Sequence, residues 1–533
     1  MIAVAGLRLA PGGKERKLPT LAAAALGVPP EAVRDWKILK KSLDARRKSD
    51  VHWLYTVAVA VDNEPAVLAR TRCKSVRAWE PERYAIPRAQ SAERPVVVGF
   101  GPAGMFAALA LAEAGLRPIV VERGRDVDRR AADVERFWSG GALDARSNVQ
   151  FGEGGAGAFS DGKLNTGTSD RRIAFVLEQF HRFGAPECVT YDARPHVGTD
   201  VLRRVVKAMR EHIFALGGEV RFETLFTGLE HTAGALSGAL LTGPEGAYTL
   251  PCSALILAPG HSARDTFRML LQSGIAMERK AFSMGVRIEH SQRRISETQY
   301  GAAHRALPPA DYRLSVRLPD GESAYTFCMC PGGYVVAASS EPGGVCTNGM
   351  SYSGRGGENA NSALLVTLPP ERFPGEGVLA GADWQREIER GCFRLGGGDY
   401  SAPAQRVGDF LAHCASGGPG AVQPTYRPGV RWTDLHAALP PAITDTLERA
   451  IPALGQKLPG FDDPDAVLTA PETRSSSPVR VLRDVSSLQS VSLAGLYPCG
   501  EGAGYAGGIT SAAVDGLRCA EKIIGVYFEK SQK

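Results

Sequence analysis

The stretch from Pro95 to Glu122 constrains the fold more than any other part of this chain of 533 residues. It reads as a short apolar strand, a glycine turn, a helix rich in Ala and Leu, and a second apolar strand that ends at Glu122. The turn carries Gly99, Gly101 and Gly104 in GxGxxG spacing. Such glycines permit a tight turn, a close approach of phosphate to the backbone, and close packing of helix on strand. The stretch therefore predicts a βαβ unit with a dinucleotide site.

Each part of this predicted site follows from the chemistry of the βαβ unit. The unpaired N–H groups and the dipole of a helix N-terminus favour an anion, so we place the diphosphate there, beside Pro102 and Ala103. Glu122 ends the second strand, where a carboxylate can accept hydrogen bonds from ribose hydroxyls, and Arg123 follows it. The alternative is a structural glycine turn without a ligand. It is disfavoured because strand, helix, second strand and carboxylate stand in the expected order.

Composition limits the classes of protein to which the chain can belong. Hydrophobic residues make up 44% and charged residues 22%, which suits globular domains with sizeable cores. No apolar run approaches the length of about 18 residues that a membrane span needs, and no signal peptide is apparent. The ten cysteines show no zinc-type spacing and suit free thiols in a reducing compartment. We therefore predict a cytoplasmic protein without membrane contact and without a bound metal.

The order of patterns along the chain predicts an α/β fold with a split Rossmann-like domain. Strand, helix and glycine signals of this domain occupy residues 94–262 and return at 490–533. Between them, residues 263–489 carry short strands, turns and prolines without βα alternation. This pattern predicts an inserted, largely antiparallel α+β substrate domain.

The N-terminal module, residues 1–93, is basic. It carries 17 Lys and Arg against 10 Asp and Glu, whereas the whole chain has a net charge of +5. Residues 18–43 read as helical and residues 51–61 as a strand, which predicts a small α+β module. A solvated basic face is the favoured interpretation of the charge. A contact with RNA is the alternative, but no RNA-binding motif is visible.

Three further segments distinguish an NAD-only dehydrogenase from a flavoprotein. A second glycine-rich stretch covers residues 149–167, a strand-to-glycine turn ends at Gly260, and a strand, glycine loop and helix cover residues 496–523. The last segment resembles the C-terminal return of flavoproteins, which brings an acidic residue to the ribityl–diphosphate region and a helix N-terminus beneath the flavin ring. These segments extend the predicted cofactor site to Gly154, Gly155, Ser160, Lys163, Gly260, Gly500, Glu501, Gly504, Gly507, Gly508 and Ile509.

Five stretches carry a more specific resemblance: GEGGAGAFSDGKLNTG, AFSMGVRIEHSQ, the segment from TFCMCPGG to NSALLV, ETRSSSPVR and YPCGEGAGYAGGITSAAVDG. With them the chain resembles a bacterial family of uncharacterised FAD-dependent dehydrogenases within the glutathione-reductase-like flavoprotein superfamily. The resemblance implies a bound FAD, a flavoprotein core and an inserted substrate domain, but it supplies no substrate. At Glu501 the wider superfamily usually has aspartate.

Few residues stand out as candidates for catalysis. Lys163 can pair with flavin O2 or with a substrate carboxylate, or it is a surface lysine. His261 can polarise a substrate because imidazole titrates near neutrality, although a structural histidine is favoured. Arg474 can bind an anionic substrate, with a surface ion pair as the favoured alternative. Phe226 lies in a strand whose backbone is expected to bind adenine, or it only packs there.

Cys328 and Cys330 flank Met329 in a predicted strand. Regular alternation would put both thiols on one face of that strand. A flavin-linked dithiol couple is one interpretation, but a disulfide across a single residue is strained. Buried structural thiols are the favoured interpretation.

Together these patterns predict an FAD-dependent oxidoreductase that acts on a small molecule. Hydride is expected to pass through flavin N5 between NAD(P)H, or another donor, and an organic substrate, in either direction. Because only one clear nucleotide fingerprint is present, NAD(P)H is expected to bind transiently. The alternatives are a flavin monooxygenase and an FAD-containing, RNA-associated binding protein.

Overall fold

The computed structural model of the protein describes residues 1–71, 73–82 and 84–531. The N-terminal module consists of β1 (Ile2–Leu9), α1 (Leu18–Leu26), β2 (Val33–Asp44), β3 (His52–Val61), α2 (Glu64–Arg70) and β4 (Val76–Ala78). Its strands form a sheet of order β2-β3-β1-β4, in which every described pairing is antiparallel. The module is joined to the body of the protein at Lys41, whose N–H donates to Tyr191 O at 2.9 Å and whose carbonyl accepts from Ala193 N at 2.8 Å.

Part of the predicted helical segment of this module is a strand. α1 falls within that segment as predicted, but β2 pairs antiparallel with β3 along its whole length. Trp36 and Ile38 pack against the core of the module, whereas Lys37 and Lys40 face solvent. The prediction of a helix over β2 is wrong because cross-strand packing outweighs the helix-favouring Lys and Leu content.

The second region is built on a parallel sheet. Its elements are β5 (Val96–Val98), α3 (Pro102–Ala114), β6 (Ile119–Val121), α4 (Val127–Trp138), α5 (Arg172–Arg182), α6 (Thr199–Ala215), β7 (Glu219–Arg221), β8 (Leu225–Thr232), β9 (Ala235–Gly243), β10 (Gly246–Pro251), β11 (Leu255–Leu257) and α7 (Arg264–Gln272). Strands β5, β6, β7 and β11 run parallel, while β8, β9 and β10 form a separate antiparallel sheet. α3 is buried on nearly every side, which explains why its sequence is Ala- and Leu-rich rather than amphipathic.

The inserted region follows. It comprises β12 (Met277–Arg279), β13 (Phe282–Ser291), α8 (Gln292–Tyr300), β14 (Ser315–Arg317), β15 (Ser323–Ala337), β16 (Thr347–Met350), β17 (Asn359–Leu368), α9 (Ala380–Leu395), β18 (Ala402–Arg406), α10 (Val407–Leu411), β19 (Val430–Trp432), α11 (Pro441–Lys457), β20 (Val467–Glu472) and β21 (Val479–Val481). Its large sheet has the order β14-β15-β17-β13-β20-β18-β19, and β16 pairs with β15. The pairings are antiparallel except between β18 and β19. β13, β15 and β17 are longer than the short strands predicted from the sequence.

The chain then returns to the parallel sheet. β22 (Leu496–Pro498) pairs in parallel with β11, which completes the order β22-β11-β5-β6-β7, and α12 (Ile509–Ser531) packs against α3. At Gly516 of α12 a Cβ would lie 2.1 Å from Ala103 O, so only glycine allows the two helices to approach so closely. The predicted fold class, a split Rossmann-like domain with an inserted antiparallel domain, is confirmed. Within the described residues, no helix combines the length and the apolar character that crossing a membrane would require.

Candidate functional site

A cavity of about 640 Å³ opens at the carboxyl ends of the parallel strands. Val98 of β5, Val121 of β6 and Cys499, which follows β22, line it. Tyr312 and Tyr325 of the inserted domain contribute to the same wall. Ligands of doubly wound sheets bind at this edge, and ligand sites commonly have volumes of roughly 300–1,000 Å³. The cavity is therefore the candidate functional site.

The glycine turn after β5 packs so closely on neighbouring backbone that two of its glycines leave no space for a side chain. A Cβ at Gly99, whose φ is +91°, would lie 2.2 Å from Ala258 O, and one at Gly104 would lie 1.9 Å from Gly99 O. Gly101 precedes α3 and faces Gly155, with 3.6 Å between its Cβ position and Gly155 Cα. Two glycine loops thus meet beside a helix N-terminus without a side chain between them. This cradle fits a diphosphate.

Glu122 occupies the position predicted for the ribose. It is 5% exposed and lines the cavity. Its Oε2 accepts from Phe100 N at 2.8 Å, and its Oε1 accepts from Gly124 N at 2.9 Å and Gly152 N at 3.0 Å. The carboxylate is thereby oriented by backbone amides on both oxygens, and Oε2, which has a single donor, keeps capacity for a hydroxyl donor.

Arg130 shapes the second glycine stretch, a role that no sequence pattern indicates. Its side chain is fully buried. The guanidinium donates to Asn148 O at 2.8 Å, to Val149 O at 2.9 Å and to Gly155 O at 2.9 Å. Glu153, on the same loop, accepts from Val127 N at 2.7 Å. A charged residue in an amphipathic helix looks solvent-facing in sequence, so only the fold reveals it as the support of this loop.

The return loop between β22 and α12 is held by a buried ion pair. Gly500 N donates to Asp515 Oδ2 at 2.8 Å, and Arg483 donates to both oxygens of Asp515 at 2.7 and 2.9 Å. Gly507 and Gly508, at the tip of this loop, are exposed and have open space where a Cβ would stand. The N-terminus of α12 therefore faces the cavity with no side chain in front of it.

Glu501 also lies on the cavity wall. Burial raises the pKa of this carboxyl to about 7, and the nearby charge of Lys280 opposes the shift. An acid with such a pKa changes charge near neutral pH. The charge of a ligand bound beside Glu501 therefore influences whether this carboxyl is protonated.

Lys163 is the cation at another part of the wall. Its Nζ lies 3.0 Å from Asp161 Oδ2, and Asp161 is fully buried. Burial disfavours the charge of Lys163, yet Asp161, Cys330 and Cys328 hold the pKa of this amine above its usual value. Asp161 also accepts from Ser351 and lies 3.3 Å from His196 Nε2. The lysine is thus a positioned ammonium rather than a free surface lysine.

His261 and Arg474 line the cavity but are engaged within the protein. His261 Nε2 lies 2.7 Å from Arg474 O, and burial lowers the pKa of this imidazole to about 4. Arg474 donates to both oxygens of Glu389 at 2.8 and 2.7 Å and is 9% exposed. The ion pair of Arg474 is therefore buried, and not the surface pair that the sequence favoured. A neutral histidine and a saturated arginine hold the wall in shape.

Most of the predicted cofactor residues lie together on the wall of the cavity: Gly99, Gly101, Pro102, Ala103, Glu122, Arg123, Gly155, Ser160, Lys163, Phe226, Gly260, Glu501, Gly507, Gly508 and Ile509. Gly104, Gly154, Gly500 and Gly504 do not line it; Gly104 lies in the first turn of α3, and the other three lie in the adjoining loops. Arg123 forms an ion pair with Asp265 and donates to both of its carboxylate oxygens at 3.0 Å. Phe226 is buried in β8 with its side chain 6% exposed.

Cys328 and Cys330 do not follow the predicted alternation. The register of β15 against β17 shifts between Phe327 and Cys330, and Cys328 has a φ of +43°. This bulge leaves Cys328 partly exposed on the cavity wall, while Cys330 is buried and its Sγ contacts Cys328 O at 3.2 Å. The prediction of one shared face is wrong because an extra residue interrupts the pleat.

Two family models identify the cofactor. Residues 94–159 match the model described as "FAD binding domain", and residues 281–475 match the one described as "FAD-dependent protein, C-terminal domain-like". Residues 1–60 match a domain of unknown function. The glycine cradle, the ribose carboxylate and the open return loop fit this group, so FAD is the cofactor.

An uncharacterized protein of Clostridium beijerinckii is 48% identical over 507 residues, which cover 94% of each chain. Among solved structures, the flavin-dependent brominase Bmp2 is 12% identical to this chain, with a TM-score of 0.39. The match covers 83% of this chain and 79% of the brominase chain. A geranylgeranyl bacteriochlorophyll reductase-like protein of Thermoplasma acidophilum overlaps 83% of each chain at a TM-score of 0.35 and 12% identity. The chain belongs to one family with the Clostridium beijerinckii protein, and it is an FAD-dependent oxidoreductase.

Proposed function

We propose that the protein holds one FAD across the cavity and transfers hydride between NAD(P)H, or another two-electron donor, and a small organic substrate. FAD supplies the redox chemistry at N5 of its ring. The observation that carries the proposal is the continuity of the cavity: Gly101, Glu501 and Tyr325, from the two halves of the parallel domain and from the inserted domain, line one space. This arrangement supports a glutathione-reductase-like organisation. Residues 94–262 and 490–533 would hold the cofactor, and residues 263–489 would shape the substrate side.

The early glycine turn would bind the nucleotide half of FAD. The N-terminus of α3 presents unpaired N–H groups behind Gly101, where a diphosphate gains from the helix dipole. Glu122 is oriented to accept ribose hydroxyls. Phe226 and Thr224 line the cavity near the start of β8, where the backbone is available to an adenine ring.

The late loop would bind the ring half. The N-terminus of α12 at Ile509, with Gly508 before it, places a positive dipole end in the cavity. Lys163 adds a full positive charge on the same wall. Both groups would stabilise negative charge that gathers on a ligand there.

The inserted domain would form the substrate side. Tyr312, Tyr325 and Met329 give this part of the wall an apolar surface with phenol groups, and Arg313 and Arg355 add charge. Such a mixture suits an organic molecule that carries a polar or acidic group. A second nucleotide fingerprint is not visible in the sequence, so NAD(P)H would share this space with the substrate at different times in the cycle.

Rapid anaerobic mixing of the yellow protein with NADPH or NADH tests the proposal. We expect one of them to bleach the flavin absorbance in a single saturable phase that free FAD at the same concentration does not show. Failure of both nucleotides to bleach the flavin would remove them as donors. NAD(P)H-dependent oxygen consumption in proportion to a hydroxylated product would assign the monooxygenase alternative instead. Loss of RNA retention on deletion of residues 1–93, without a change in flavin reduction, would assign an RNA role to the module alone.

A further inference from the structure

The bulge in β15 gives Cys328 an unusual position. Within a strand, a non-glycine residue rarely adopts a positive φ such as the +43° of Cys328. The register shift after Phe327 turns Cys328 out of the regular pleat and onto the cavity wall. Arg287, which is fully buried, donates to Cys328 O at 2.9 Å and so fixes this distorted segment. A strained backbone held by a buried charge points to a selected position for the thiol.

The surroundings of Cys328 favour its thiolate. A hydrogen bond from the Cys330 side chain lowers the pKa of Cys328, burial opposes this effect, and the charges of Lys163 and Arg287 lower the pKa further. The pKa of Cys330 moves upward, because burial and the neighbouring sulfur disfavour its charge. Of the two thiols, Cys328 is therefore the one whose charged form is favoured.

Acidic groups near Cys328 do not cancel this effect. Asp161, Glu472 and Glu501 all act on the thiol and oppose its ionisation. Glu472 is paired with Arg287 at 3.0 Å, and Asp161 with Lys163 at 3.0 Å. Each of these two acids is thus offset by one of the cations that favour the thiolate.

We propose that Cys328 is a nucleophilic thiolate on the wall of the FAD cavity and a covalent binding site for soft carbon electrophiles, such as α,β-unsaturated carbonyl compounds. The site is distinct from a structural thiol because Cys328 is partly exposed to the cavity, whereas Cys330 behind it is fully buried. The assignment of this electrophile class to the substrate rests on the proposed function; the reactivity of the thiol does not.

The covalent step needs no oxidant or reductant. The Sγ lone pair of Cys328 attacks the β-carbon, a C–S bond forms, and the π electrons of the C=C bond move to the carbonyl oxygen. The resulting enolate takes a proton at the α-carbon. The charge of Lys163, which lines the same wall, can stabilise the negative oxygen, and solvent supplies the proton. Reversal of the step releases the unsaturated compound unchanged.

Alkylation of the holoprotein by iodoacetamide, quantified by mass spectrometry of Cys-containing peptides, tests the proposal. The exposed Cys414 in the same molecule is the internal reference. We expect the labelling rate of Cys328 to be already near its plateau at about pH 7, whereas N-acetylcysteine, added as a second reference, should gain speed up to about pH 9, as ordinary thiols with pKa values near 8.5 do. The ratio of the labelling rate of Cys328 to that of N-acetylcysteine should therefore fall by about 100-fold between about pH 6 and pH 9. Parallel pH profiles, or a Cys328 that is labelled only after denaturation, would overturn the proposal.

Two substitutions test whether the groups around Cys328, and not only its exposure to the reagent, set its labelling rate. Lys163→Met and Cys330→Ala should each slow labelling of Cys328 at about pH 6.5 by threefold or more, with Cys414 unchanged and the profile moved to higher pH. Cys346→Ser, at another buried thiol, should leave the Cys328 profile in place. Labelling of Cys328 that is unaffected by both first variants would contradict the role of Lys163 and Cys330. The flavin absorbance of each sample reports the proposed function independently: a colourless protein with a fast Cys328 refutes only that function, and a yellow protein with an inert Cys328 refutes only this inference.

Discussion

The two sides of the cavity are built by different means. Beside β5 and β6, the backbone itself forms the wall: Gly99 and Gly104 pack directly on backbone carbonyls, Gly101 faces Gly155, and N–H groups hold Glu122. On the inserted side, buried ion pairs hold it, as in Arg287 with Glu472 and in Glu389 between Arg264 and Arg474. On the first side, an added side chain would displace the backbone. On the second side, loss of one charged group would leave its buried partner without a counter-ion.

Glu389→Gln should have the largest effect, and it should act on stability. Arg264 and Arg474 both donate to this fully buried carboxylate, so its neutralisation removes the carboxylate that Arg474 binds and leaves Arg264 with Glu341 at 3.2 Å. We expect a loss of about 3–5 kcal/mol in the free energy of unfolding, measured by urea denaturation. Asp383→Asn removes the exposed partner of Arg268 and is the matched control, with an expected change below about 0.5 kcal/mol. Equal effects of the two substitutions would refute the special role of the buried cluster.

Gly104→Ala should damage cofactor binding more than stability. Its Cβ would lie 1.9 Å from Gly99 O and 3.0 Å from Gly99 C, which are backbone atoms that cannot rotate away. The turn must open, and we expect FAD affinity to fall by about 100-fold or more, measured by fluorescence titration of the apoprotein. Gly525→Ala in α12, where nothing lies within 4 Å of the new Cβ, should bind FAD as the parent does. Normal affinity in Gly104→Ala would contradict the backbone-approach account of this side.

Glu122→Gln tests whether the carboxylate matters beyond its shape. The amide group that replaces one oxygen would face a backbone N–H, either from Phe100 or from Gly124 and Gly152. One donor then lacks its acceptor, and we expect FAD affinity to fall by about 10-fold to 30-fold, with the free energy of unfolding of the apoprotein also reduced by about 1–3 kcal/mol. Unchanged affinity would mean that Glu122 supports the turn without contacting the ribose.

Glu501 should give the smallest effect and a pH dependence. Burial raises its pKa from 4.5 to about 7, so the native apoprotein holds this proton where an unfolded chain would release it. The contribution of this group to stability is therefore present below about pH 4.5 and is lost as the pH rises to about 7. Ionised Glu501 would repel a diphosphate, so FAD affinity should fall by about threefold to tenfold between pH 6 and pH 8. Glu501→Gln should flatten this profile, and an affinity that rises with pH would reverse the assignment.

The parallel domain was largely predictable because its constraints are local. Strand β5, the turn and α3 lie within one short stretch, and the predicted Val96–Val98 strand has the observed bounds. The return motif was recognisable by its own glycine pattern. The cofactor, FAD, is confirmed by the family models. Local sequence patterns therefore suffice where the backbone itself forms the site.

The inserted side was not predictable in the same way. Arg474 read as a surface residue, yet it is paired with Glu389 from α9, 85 positions away. The bulge at Cys328 depends on pairing with β17, which no local pattern reveals. Likewise, the sequence of β2 resembles a helix because its pairing with β3 leaves no local signal. Side chains brought together by tertiary contacts leave no periodic trace, so the sequence supported only the fold class of this part.

The most direct test of the shared cavity is hydrogen exchange of the apoprotein and of the FAD-bound protein. We predict that one FAD per chain slows amide exchange both at residues 99–104 and at residues 500–509, together and with the same dependence on FAD concentration. Protection of only one of these loops, or binding of FAD with neither loop protected, would contradict the claim that both ends of the chain's parallel domain hold a single cofactor.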